Sequence, residues 1–195
     1  MKKKLILVAA PPASGKTYVS EMLAESLKPI AYFDKDGLGA LVRAGFTVAK
    51  EPLDMDGDFY KNNIRSPEYS TLLEMAFSAL RFEQRVIINA PFGNEARDAE
   101  FMRALKEKAN QNGAELVLIW VSTPLEVCYE RMKNRNSDRD TLKLKNWEEY
   151  AKKINYTPPY ELEQKSAVDR LLLFDNKDNE TAQRSLNEAL KIIGE

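Results

Sequence analysis

One stretch, Ala9-Ala10-Pro11-Pro12-Ala13-Ser14-Gly15-Lys16-Thr17, constrains the chain more than any other. It follows the apolar run Leu5-Ile6-Leu7-Val8 and opens a segment with helical spacing. A strand, a loop of small residues, Gly-Lys-Thr and a helix together make a device for cradling phosphate. Phosphate groups need backbone N–H groups pointing inward and a helix N-terminus beneath them. Small side chains let the backbone approach, and Gly15 admits torsions that a β-carbon resists. Lys16, expected to stand exposed in the open loop, can reach the β- and γ-phosphates, and the Thr17 hydroxyl can ligate magnesium. Ala10 stands where the motif's first glycine belongs, so the loop must turn there without a positive φ. An ordinary strand-to-helix turn could also contain Gly-Lys-Thr, but the strand before it and the helix after it favour the phosphate loop.

With 195 residues, the chain is expected to form a single domain, 1–195, with a layered core. Twenty-nine Lys and Arg against 30 Asp and Glu give no general pull toward nucleic acid or membrane. Cys128 is the only cysteine, so no internal disulfide forms and a reducing, cytoplasmic setting is expected. Met1 to Lys4 followed by Leu5 to Ala10 faintly imitates a signal peptide, but Pro11-Pro12 ends the apolar core and a first strand is the better reading. No apolar run approaches membrane-spanning length. The absence of histidine excludes Ser-His-Asp triads, Cys-His pairs and histidine metal sites, so a general base must be a carboxylate or, failing that, Lys, Tyr or Cys.

Apolar runs at Lys3–Ala10, Ile30–Phe33, Arg85–Asn89, Leu116–Val121 and Arg170–Phe174 predict five strands. Helical spacing between them predicts helices at 15–27, 37–44, 67–83, 95–112, from Pro124 onward, at 147–154 and at 180–193. Ser122 or Thr123 is expected to cap the helix after the fourth strand, with Pro124 in its first turn and Cys128 as a small core residue. From Gly45 to Pro67 no period persists; the spacing of Asp54-Met55-Asp56-Gly57-Asp58 does not fit a calcium loop, which leaves a solvated acidic loop. Strands alternating with helices imply a three-layer α/β/α fold around a five-stranded parallel sheet.

Two features narrow the chemistry. Asp34-Lys35-Asp36 closes the second strand, at the sheet edge shared with the phosphate loop. One carboxylate could hold a magnesium-bound water while the other accepts a hydroxyl proton; alternatively both cap the next helix. Arg131, Arg135 and Arg139, at four-residue spacing, could form a flap, about 133–145, that closes over phosphates, or a solvated helix end.

Ala-Pro-Pro-Ala-Ser-Gly-Lys-Thr, Phe-Asp-Lys-Asp and the three spaced arginines resemble the small P-loop kinases over essentially the whole chain. Nearest are the zeta-toxin-like and AAA-domain kinase-like proteins, with shikimate, gluconate and chloramphenicol kinases as wider relatives. The resemblance implies ATP- and Mg2+-dependent phosphorylation of a hydroxyl on a small molecule. It implies Pro12, Ala13, Ser14, Gly15, Lys16, Thr17, Tyr18 and Arg135 at the nucleotide, Thr17 and Asp34 at the metal, and Asp36, Lys16 and Arg139 in catalysis. Asn89 departs from the aspartate that many P-loop proteins carry at the end of strand three, which leaves Asp34 to supply charge. The glycine-poor Ala90-Pro91-Phe92 departs from nucleoside monophosphate kinases, and Arg97 reads equally as an anion holder or a surface residue. A nucleotide or polynucleotide kinase, or an ATP-binding switch that transfers nothing, are the alternatives; the near-neutral charge gives polynucleotide binding little support.

Overall fold

Successive side chains of the first strand go to opposite faces of one sheet. The computed structural model describes residues 2–194; the side chains of Asp138, Arg139 and Leu142 lie outside the described set. In β1 (Lys3–Ala9), Leu5, Leu7 and Ala9 enter one core layer and Ile6 and Val8 the other. A strand covered on both faces has no polar positions to spare, which is why this run is apolar throughout. β2 (Ala31–Asp34), β3 (Arg85–Asn89), β4 (Ala114–Ser122) and β5 (Arg170–Asp175) complete a parallel sheet of order β2-β3-β1-β4-β5. Central β1 lies between β3 and β4, with Val8 beside Asn89 and Ala9 beside Trp120, so the phosphate loop leaves the sheet flanked by the ends of both.

The helices follow in order as α1 (Lys16–Ser26), α2 (Gly39–Ala49), α3 (Arg65–Ala79), α4 (Ala99–Gln111), α5 (Leu125–Arg135), α6 (Asp138–Lys145), α7 (Trp147–Lys153), α8 (Glu161–Gln164) and α9 (Asn179–Gly194). Val19 and Leu23 of α1, with Leu186 and Ile193 of α9, cover one face of the sheet. Leu72 and Phe77 of α3, Met102 and Leu105 of α4 and Leu162 of α8 cover the other. The expected three-layer α/β/α arrangement with five parallel strands is present.

Three local expectations need correction. Most of the segment from Gly45 to Pro67 is helical rather than irregular: α2 runs to Ala49, and the helix that becomes α3 starts at Asp58 and passes through a π-helix, Tyr60–Ile64. Pro67 lacks an N–H and its ring would crowd the carbonyl of Asn63 in a regular α-helix; the wider turn just before it relieves that crowding. Val42, Phe46 and Tyr60 form a small core across the intervening loop, a spacing that no single sequence window can reveal. The predicted helix 95–112 is broken by Asp98, which adopts an extended conformation and caps α4 by accepting from the N–H groups of Glu100 and Phe101, both at 3.0 Å. Finally, Pro124 rather than Ser122 or Thr123 holds the N-cap position of α5, because the Thr123 hydroxyl is bonded elsewhere.

Candidate active site

The phosphate loop is held from behind. Its positive φ angles fall at Ala13 (62°) and Gly15 (80°), so Ala10 turns the chain without one. Buried Ser14 turns its carbonyl toward three donors: Asn176 Nδ2 at 2.7 Å, Thr123 Oγ1 at 2.9 Å and an Arg131 guanidinium nitrogen at 3.2 Å. Arg131 also donates to the Asn176 carbonyl at 2.8 Å. A β-carbon on Gly15 would run into the Asn176 amide and lie 3.2 Å from Arg131. Glycine is therefore required at 15 by the protein's own clamp as well as by any phosphate. With the Ser14 carbonyl drawn back toward β4 and β5, the loop keeps its N–H groups and the α1 N-terminus for an anion.

The front of the loop meets the end of β3 at Asn89, whose relative exposure is 0%. The Lys16 ammonium donates to Asn89 Oδ1. The amide nitrogen of Asn89 lies 2.6 Å from Asp34 Oδ2, 3.2 Å from the Tyr32 hydroxyl and 3.3 Å from Thr17 Oγ1. One neutral side chain thus gathers three of the residues singled out in the sequence. Lys16 is half-buried rather than exposed as expected, and that burial lowers its pKa against the opposing pull of Asp34 and Asp36.

Of the two readings offered by the sequence the cap is the one seen directly, and Asp34 has a partner on each of its two carboxylate oxygens. Its Oδ1 caps the short turn Lys35–Leu38 by accepting from the Asp36 N–H at 2.8 Å, while Oδ2 faces Asn89. Asp36 leaves its carboxylate exposed on the same side as Lys16, whose charge it influences. Lys35, between them, turns inward. Its ammonium lies 3.0 Å from Glu68 Oε1 and 3.5 Å from the Tyr60 hydroxyl, which itself donates to Glu68 Oε2 at 2.5 Å. Burial, reinforced by Glu68, pushes the Tyr60 phenol pKa up. This cluster fastens the two aspartates to α3, and nothing local to residues 34–36 signals it, because a lysine between aspartates reads as solvated.

The spaced arginines do not act as one set. Arg131 belongs to the clamp behind the loop. Arg135 donates Nε and a terminal nitrogen to Asp140 Oδ2 at 2.8 and 2.6 Å, joining α5 to α6. The Arg139 side chain lies outside the described set. Arg97, half-buried, donates to the carbonyls of Asn155 and Thr157 and lies 5.0 Å from the centre of the Trp120 ring. Cys128 is buried, as a core residue should be, with Sγ 3.8 Å from the Ser14 hydroxyl. Pro12 and Tyr18 are exposed in the loop and the first turn of α1. Among the described residues no group of three or more Asp, Glu and Cys side chains converges as a metal cage. Thr17 and Asp34 would supply two oxygens, and phosphate and water the rest, which is the usual manner of magnesium. The loop backbone, Lys16 and these two oxygens fit a magnesium-bound nucleoside triphosphate.

Residues 5–157 match the AAA domain family. Among solved structures, a candidate kinase from Chloroflexus aurantiacus is 20% identical with a TM-score of 0.66, covering 100% of this chain and 98% of its own. A sugar kinase from Janibacter sp. is 17% identical with a TM-score of 0.59, covering 97% and 93%. Kti12 from Chaetomium thermophilum, solved with ADP-AlF3, is 18% identical with a TM-score of 0.59, covering 97% and 98%. No curated protein sequence matches the chain significantly.

Proposed function

The chain belongs to the AAA domain family and has a P-loop NTPase fold, and on that footing we propose that it transfers the γ-phosphoryl group of ATP to a hydroxyl of a small molecule. The observation that carries this reading is the gathering of Lys16, Thr17 and Asp34 on Asn89 beside the exposed carboxylate of Asp36. A protein that only bound nucleotide would have no use for that free carboxylate. The nucleotide bound to Kti12 and the kinase neighbours support the assignment of ATP to this fold.

Each group has a role. The N–H groups of residues 13–18 and the Lys16 ammonium hold the phosphates, and Lys16 faces the charge that spreads over the transferred group. Bound Mg2+ would neutralise the β- and γ-phosphoryl oxygens, with Thr17 and Asp34 as its protein oxygens. Asp36 orients the acceptor hydroxyl and receives its proton; orientation matters at least as much as basicity because the transition state is loose. Arg135 and Arg139 are assigned to a closing flap, 133–145, that excludes water. Among the described residues no helix is long and apolar enough to cross a membrane, and a cytoplasmic setting is part of the proposal.

The test is Asp36→Asn beside Lys16→Ala, with calorimetric titration of a non-hydrolysable ATP analogue and single-turnover transfer. Asp36→Asn should keep nucleotide affinity and lose roughly two to four orders of magnitude in transfer; Lys16→Ala should lose both. Wild-type transfer in Asp36→Asn would remove the base, and unchanged nucleotide affinity in Lys16→Ala would remove the phosphate site.

A further inference from the structure

Three cations near α3 and the chain leaving β3 are already held by groups of the protein itself. Arg65, at the start of α3, offers its two terminal nitrogens to the two oxygens of Glu95 at 2.6 and 2.9 Å, and stacks 4.6 Å over the Tyr69 ring. A fork-to-fork pair of this kind is the arrangement with which arginine grips carboxylates and phosphates. Here the chain itself supplies the carboxylate. Lys35 is likewise held by Glu68, and Arg97 by two carbonyls.

Arg65 and Glu95 line a cavity of about 270 Å³ between α3 and the chain leaving β3. Asp98, the N-cap of α4, adds a second carboxylate to the lining. Ser66, Ser70 and Asn94 offer uncharged hydrogen-bonding groups, over a floor that includes Leu73 and Phe101. The place of the cavity ties it to the chemistry. Glu68, the anchor of Lys35, stands on α3 within one helical turn of Arg65, a distance of about 5 Å along the axis. On the other side, residues 90–94 lead directly from Asn89 to the cavity wall at Asn94 and Glu95.

Resting on the kinase reading above, we infer that Glu95 sets the acceptor class: it occupies the fork of Arg65 and so reserves this cavity for uncharged polyhydroxy compounds, excluding acceptors that carry a carboxylate or phosphate. An anionic acceptor would have to displace Glu95 from both of its bonds and then sit beside it as a like charge in a partly buried site, which costs it affinity. An uncharged alcohol meets the serines and Asn94 and leaves the pair intact.

The experiment compares wild type with Glu95→Gln, each saturated with magnesium and a non-hydrolysable ATP analogue so that the phosphate loop is filled. Glucitol and gluconate, two open-chain compounds that differ in one carboxylate, are titrated by calorimetry. In parallel, transfer from ATP is measured for uncharged sugars and nucleosides against their acid or phosphate counterparts. Wild type should discriminate against gluconate, and Glu95→Gln should strengthen gluconate binding by about tenfold or more. The double variant Arg65→Gln/Glu95→Gln should lose that gain, which separates a freed guanidinium from a general loosening. Gluconate binding to wild type as tightly as to Glu95→Gln, or an acid phosphorylated in preference to its uncharged partner, would overturn the inference. If Glu95→Gln does not fold, the wild-type titrations and paired transfer rates decide. If no alcohol of either kind is phosphorylated, the kinase reading fails while the titrations still judge Glu95.

Discussion

Gly15→Ala tests the clamp behind the phosphate loop with a magnitude that can be worked from its parts. At φ 80° an alanine adopts a left-handed conformation, costing about 1–2 kcal/mol, of which roughly 0.4–1 is returned by the stiffer unfolded chain. The added methyl also displaces the Asn176 amide from the Ser14 carbonyl, now 2.7 Å away. That carbonyl keeps Thr123 and Arg131, so the loss falls on Asn176, a 2% exposed residue left with an unsatisfied donor, worth about 1–2 kcal/mol. The net expectation is a loss of about 2–3 kcal/mol, or roughly 5–10 °C in melting temperature for a chain of this size. The discriminating experiment is a double-mutant cycle with Asn176→Ala, read from urea midpoints at constant slope. With the amide already gone, Gly15→Ala should cost only its backbone share, leaving a coupling of about 1–2 kcal/mol. Additivity within about 0.5 kcal/mol would show that Asn176 is not what glycine makes room for.

Lys35→Met should cost about 3–5 kcal/mol by chemical denaturation, since it strands the buried Glu68 carboxylate; Lys35→Met/Glu68→Leu should recover most of that, and failure to recover it would mean the pair is not the source of the loss. Burial lowers the Lys16 pKa, so between that lowered value and about 10.4 the unfolded chain binds more protons and stability rises with pH. Wild type should therefore gain stability relative to Lys16→Met as pH rises from neutral toward 10, while its affinity for a nucleotide triphosphate falls; thermal melts and titrations across that range read both, and the opposite trend in stability would mean that Asp34 and Asp36 outweigh burial.

The parts of this molecule that were legible from sequence are those where local pattern and tertiary role coincide. β1 is buried on both faces, so its apolar run announced a central strand, and the small residues after it announced the loop. Asp34 and Asp36 stand out in the sequence because the end of a strand next to such a loop is a restricted place. What escaped was made by distant partners. Asn176 lies 162 positions from Ser14, to whose carbonyl it donates. Lys35 finds Glu68 only after α3 has packed, and Arg65 finds Glu95 across 30 positions. The π-helix hid behind Pro67, which sequence logic treats as a stop rather than as something a wider turn can accommodate. Arg131 stands out in the sequence for its spacing to Arg135, whereas in the structure its guanidinium is bonded to the carbonyls of Ser14 and Asn176.

Asn89 shows how the site's charge is balanced. Around it stand the positive charge of Lys16 and the negative charges of Asp34 and Asp36, with Lys35, paired to Glu68, also within electrostatic reach of Lys16. A carboxylate in its place could still receive the Lys16 ammonium, but it could not donate to Asp34 Oδ2 at 2.6 Å, nor to Thr17. It would set two carboxylate oxygens against each other in a fully buried position, a contact that only a shared proton or a bound cation could relieve. The amide avoids that conflict. It fixes Asp34 through one oxygen while the Asp36 N–H fixes the other, so the carboxylate proposed for the metal is oriented before any metal arrives. Because Lys35 then ties the same segment to α3, where Arg65 and the cavity wall begin, the carboxylate proposed for the metal, the one proposed as base and the cavity proposed for the acceptor are carried on one connected framework. A neutral residue at the end of strand three is in this setting a donor that organises charge, rather than a weakened metal ligand.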